Sequence, residues 1–136
     1  MQYPKNIEIK IGFHHIRERL RKHCLSSLGL ADVERMAFSH DIKQQGRLLR
    51  QTDEFKRILE GDEAFPTAAY LDARPWLEKA KVSGAFLQAE EFHQLGRALE
   101  TVVAGSRFLL KHGETYPELA SIGAMPQVDP QLPRRI

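Results

Sequence analysis

The stretch from Asp72 to Lys111 constrains the chain most, because it holds the longest uninterrupted helical pattern, and a long helix needs other elements to cover its apolar face. Phe92, Leu95, Leu99, Val102, Ser106 and Leu109 recur at alternating steps of three and four, the period of one helix face. His93, Gln94, Arg97, Glu100, Arg107 and Lys111 fall on the opposite side. The spacing predicts one amphipathic helix over about 88–111, roughly 36 Å long, which gives shorter helices a wall to pack on.

Those shorter helices are written in the rest of the sequence. Ile7-Glu8-Ile9-Lys10-Ile11 alternates between Pro4 and Gly12, and reads either as an extended arm or as the start of a helix. Phe13, Ile16, Leu20 and Cys24 mark the apolar face of a first helix, and Ser26-Ser27-Leu28-Gly29 marks the corner after it. Leu30, Val33 and Met36 continue a helical period up to Phe38-Ser39-His40-Asp41, where Ser39 is the expected N-cap of the next helix. That helix is predicted from about Ile42 to Glu60, with Ile42, Leu49, Thr52, Phe55 and Leu59 on its apolar face and Gly61 as a left-handed C-terminal residue. Asp72 and Pro75 open a short helix that buries Trp76, Leu77 and Ala80 and stops at Ser83-Gly84. Tyr116 to Ile122 form a last turn or two, and residues 123–136 are a proline-rich tail. The fold class is all-α, a helical bundle built around the long helix. Its expected core consists of Phe13, Ile16, Leu20, Phe55, Trp76, Phe92, Leu95, Leu99, Val102 and Leu109.

A length of 136 residues suits a single helical domain, and 42% hydrophobic against 28% charged residues is ordinary globular usage. No apolar run is long enough to cross a bilayer, and the start lacks the charged-then-apolar layout of a secretory signal. A lone Cys24 forms no internal disulfide, so a reducing cytoplasm fits best. The net charge of +2 decides nothing about partners. Its distribution is more informative: Arg17, Arg19, Arg21 and Lys22 lie on one helix with Glu18 as the only acid between His14 and His23. These four, with Arg47, Arg50 and Arg57, are candidate DNA-phosphate contacts, and an ordinary solvated face is the alternative. No aromatic residue interleaves them as single-strand stacking requires.

No catalytic, nucleotide-binding or metal-ligating set emerges. His14 and His15 are adjacent and point about 100° apart on a helix, so with His23 and Cys24 they make no ligand face. Cys24 sits on the apolar stripe as a small hydrophobe, and Glu90-Glu91 reads as charge favoured by a helix N-terminus.

The order of several short motifs is more specific than any one of them. Ile11-Gly12-Phe13, Ser26-Ser27-Leu28-Gly29, Phe38-Ser39-His40-Asp41, Gln51-Thr52-Asp53-Glu54, Asp72-Ala73-Arg74-Pro75-Trp76-Leu77-Glu78-Lys79-Ala80, Gly84 and Glu90-Glu91-Phe92 together resemble the N-terminal region of MutS-family proteins, DNA mismatch-repair-type ATPases. The likeness is to the second bacterial subfamily, which begins directly with the helical core, and it runs from about Tyr3 to the tail. It implies the first part of a core domain in a homodimeric parent that binds mismatched or branched DNA, with ATP and Mg held by a P-loop further on. No Gly-x-x-x-x-Gly-Lys-Ser/Thr run occurs here, so no cofactor is expected in this segment and no enzymatic activity of its own. Leu87-Gln88 stands where relatives place Ser or Thr, which predicts a weakly capped long helix. Arg134-Arg135-Ile136 follows Pro133 as another helix would begin, so the sequence reads as a fragment of a longer protein. The alternatives are a free-standing helical protein-protein interaction module and a weak, nonspecific nucleic-acid-binding helical domain.

Overall fold

The chain forms helices in the order α1 (Ile7–Lys10), α2 (Phe13–His23), α3 (Ser27–Arg35), α4 (Ile42–Glu60), α5 (Arg74–Ala80), α6 (Ala89–Lys111) and α7 (Pro117–Gly123). The computed structural model describes residues 6–66, 70–126, 128–129 and 131–132, and no strand forms among them. Pro4, Tyr3, Pro133 and the terminal Arg134-Arg135-Ile136 of the sequence reading lie outside the described residues. By their contacts the residues form two compact units, Met1–Phe38 and Ser39–Ile136.

In the first unit, the alternating Ile7–Ile11 segment is helical. With no strand to pair with, its amides bond locally: Lys10 N–H donates to the Asn6 carbonyl at 3.1 Å and Ile11 N–H to that of Ile7 at 2.9 Å. Gly12 then turns the chain into α2 with φ of +76°, a left-handed conformation that glycine adopts without strain. Ser26 caps α3 by accepting the Gly29 N–H on its Oγ at 3.1 Å. None of the three helices contains a fully buried residue. Phe13 is half-buried, but Ile16 and Leu20 are 49% and 38% exposed, which corrects their expected core role. A stretch of this length has too little chain to surround its own apolar stripe.

The core of the second unit gathers Ile58, Phe108, Leu109 and Leu119, with Phe55, Phe65 and Tyr116 against them. Phe65 meets Phe55 and Phe108 edge-on, each at 5.3 Å between ring centroids. The buried edge of α4 is therefore Glu54, Phe55 and Ile58, whereas Ile42, Leu49 and Leu59 are exposed, contrary to the sequence reading. Asp41, not Ser39, caps α4 by accepting the Gln44 N–H at 2.9 Å, and Ser39 Oγ takes the Asp41 N–H instead. At the other end Gly61 has φ −83° and ψ 171°, so the chain leaves extended rather than left-handed.

On α6, Leu95 and Leu109 are buried and Leu99 is half-buried, but Phe92 and Val102 are exposed, and Trp76 on α5 is half-buried. The expected apolar face is thus only partly covered, because the C-terminal half of α6 turns Gly105, Phe108 and Leu109 inward. The start of α6 is held more firmly than Leu87-Gln88 suggests. Glu91 Oε2 accepts the N–H of the N-cap Gln88 at 2.8 Å, one arm of a capping box, and the Lys79 ammonium of α5 binds the same oxygen at 2.6 Å.

Where α7 crosses α6, a Cβ on Gly123 would lie 2.9 Å from Leu109 Cβ and 3.2 Å from the Ser106 carbonyl oxygen. Neither neighbour is a flexible side-chain end. Gly123→Ala is therefore expected to lower stability by about 1–3 kcal/mol in urea unfolding, whereas Gly105→Ala, whose new methyl would meet Phe65 Cζ at 3.5 Å, shifts the midpoint less.

Candidate functional site

The charged face of α2 is the region the sequence singles out, and its cations divide into two kinds. Arg17 is turned inward upon its own unit. Its Nη2 binds both Glu8 carboxylate oxygens at 2.8 and 2.9 Å and the Met36 carbonyl at 2.9 Å, and its Nη1 donates to the Val33 carbonyl at 2.5 Å. The guanidinium also lies 5.6 Å from the centre of the Phe13 ring. Arg17 thereby satisfies the carbonyls left open at the end of α3 and ties α1 to α2. Arg21 makes a two-pronged pair with Glu34, at 2.6 and 2.9 Å, and reaches Glu18 at 3.3 Å. Its hydrogen bonds hold the Glu34 carboxyl below the usual carboxylate range.

Arg17 has little left to offer a phosphate, since its donors are spent on a carboxylate and two or more carbonyls. Arg19 and Lys22 differ: both are exposed, and neither has a partner among the described residues. On α4, Arg50 pairs with Glu118 at 2.5 Å, Arg57 pairs with Asp53 at 3.3 Å and lies 5.4 Å from the Tyr116 ring centre, and Arg47 is exposed without a partner.

His14 and His15 contact each other, with ring centroids 3.9 Å apart. Cys24 Sγ donates to the Leu20 carbonyl at 3.2 Å. Among the described residues no three His, Cys, Asp or Glu side chains come together as a metal would require.

Glu54 is the residue that the pattern of charges does not disclose. At 4% exposure its carboxylate accepts the Glu118 N–H at 3.2 Å and the Leu119 N–H at 2.9 Å, joining α4 to the first turn of α7. Its partners lie more than sixty residues away, so no local spacing reveals it. A second cluster joins Glu63 to Lys111 at 2.9 Å and to His112 Nε2 at 3.0 Å, and the Lys111 hydrogen bond, more than the neighbouring His112, draws the Glu63 pKa down. Beside it an open groove of about 460 Å³ runs along Val102, Val103 and Leu110, with Arg107 and Lys111 among its polar lining.

These features describe a helical scaffold with surplus positive charge on one helix. Compared with known proteins, the chain is 26% identical to the endonuclease MutS2 of Geobacillus kaustophilus over 100 residues, 70% of its own length and 13% of that protein's. The similarity is distant, and the chain spans a small part of the relative it matches. No family model matches it, and no solved structure does.

The two kinds of cation predict opposite mutational outcomes. Arg17→Ala is expected to cost about 2 kcal/mol and to raise amide exchange throughout residues 7–35, while Arg19→Glu with Lys22→Glu changes stability by no more than about 0.5 kcal/mol. A pH titration tests the pairs. Glu34, Glu63 and Glu91 all have lowered pKa values, from the Arg21, Lys111 and Lys79 hydrogen bonds first. Their contribution is therefore present at neutral pH and is lost as pH falls through the usual carboxylate range to the lowered folded values. Unfolding midpoints should fall on that acid side, and Lys79→Gln should flatten the fall.

Proposed function

We propose that this chain is the N-terminal helical core segment of a MutS-type DNA-binding ATPase that serves mismatch repair or recombination control, and that the segment itself is non-catalytic. The observation that carries this reading is the likeness to endonuclease MutS2 over 70% of the chain, which agrees with the ordered motifs from Ile11-Gly12-Phe13 to Glu90-Glu91-Phe92. The role is mechanical. Packed helices such as α4, α6 and α7 transmit force as one body, so the segment would couple nucleotide-driven movement elsewhere in the parent to the parts that embrace DNA. ATP and Mg belong to the parent's P-loop and not to this segment, and a homodimer in the cytoplasm is the parent's proposed state.

An interaction module is the second reading, favoured by the unburied apolar residues of the first unit. Direct nucleic-acid binding is weaker support for function, because Arg17 and Arg21 are already engaged. The coding sequence of the parent tests the leading reading. A Gly-x-x-x-x-Gly-Lys-Ser/Thr run downstream in the same frame is the expected result, and a stop after Ile136 with no such run would refute it.

A further inference from the structure

The first unit is out of balance in two respects. Each of its four carboxylates is paired, Glu8 with Arg17, Glu18 and Glu34 with Arg21, and Asp32 with Arg35. Lys10, Arg19 and Lys22 are exposed and without partners among the described residues. Its apolar side chains are out of balance as well. Ile16 and Leu20 on α2 are partly open to solvent, and Leu25 just beyond α2 is 78% exposed.

These two surpluses meet on one side of α2. Ile16, Arg19, Leu20 and His23 stand at i, i+3, i+4 and i+7, a single helix stripe, and Lys22 follows Arg19 at i+3 on its outer edge. An aliphatic strip with a cationic rim on one side has a definite complement. We infer that this face of α2 docks an amphipathic helix of a protein partner, one that lays leucine-type side chains on Ile16 and Leu20 and sets carboxylates against Arg19 and Lys22.

Three other occupants fit less well. A second copy of the same face would bring Arg19 and Lys22 against like charges. Nucleic acid would use the cations but leave Ile16 and Leu20 against sugar and phosphate, and no exposed aromatic stands between Arg19 and Lys22 to stack a base. A neutral apolar helix would leave both cations without the partners their position favours. The inference does not depend on the MutS reading, since it uses only the charges and exposures of this unit.

Fluorescence anisotropy on the full chain tests it with two synthetic helical peptides of about 18 residues. Both carry leucine at i, i+3, i+4 and i+7; one has glutamate on the flanks and the other lysine. The glutamate peptide is expected to bind about tenfold or more tighter than the lysine peptide, and to lose affinity when its leucines become alanine. Arg19→Glu with Lys22→Glu, which removes no internal contact, should reverse the preference while the circular dichroism of the chain is unchanged. Ile16→Ser should weaken both peptides alike. The inference is overturned if neither peptide binds, if the charge reversal leaves the preference as it was, or if duplex DNA binds and the glutamate peptide does not.

Discussion

The second unit depends on a buried carboxylate. Glu54 lies in the middle of α4 with almost no exposure, a position that would be strongly unfavourable for a charged group without partners. It is tolerated because Glu118 and Leu119 aim two backbone N–H groups at it, at the N-terminal end of α7 where the helix dipole also favours negative charge. The dependence runs both ways. A seven-residue helix has little stability in water on its own, so α7 forms because Pro117 opens it, Glu54 caps it and Leu119 packs into the core. Once α7 is fixed, Gly123 brings it against Leu109, and Ile58, Phe108, Leu109 and Leu119 close around one another.

How the helices were legible, and how their faces were not, follows from the physics of each. Period and caps act within a few residues, so α4 runs from Ile42 to Glu60 and α6 ends at Lys111 as the sequence indicates. Which side of a helix is buried is decided by neighbours far away in the chain. On α4, Ile58 and Leu59 are adjacent and equally apolar, and only the approach of α6 and α7 selects Ile58. On α6 the apolar positions span a wider arc than its neighbours cover, leaving Phe92 and Val102 at the surface.

The same distinction governs the candidate site. The run of cations on α2 is plain in the sequence, but the acids that neutralise Arg17 and Arg21 come from Glu8 and Glu34, on other helices. Charge counted along one helix therefore overstated the surface available to a phosphate. What remains free, Arg19 and Lys22, borders aliphatic side chains, so the unit offers a mixed surface rather than a purely electrostatic one. The capping of α6 by Glu91, with Lys79 on the same oxygen, was likewise invisible at Leu87-Gln88, because the stabilising group stands inside the helix and not before it.

These devices belong to a helical segment whose elements are tied by caps and ion pairs instead of by a large apolar core. If Glu54 is the tie that holds α7, amide hydrogen exchange at Leu119 measures it most directly. The account predicts that the Leu119 amide in the full chain is as protected as amides in the middle of α6, and that Glu54→Gln releases α7 and weakens protection around Ile58. Exchange at Leu119 as fast as at exposed amides of the native chain, or protection unchanged in Glu54→Gln, would contradict it.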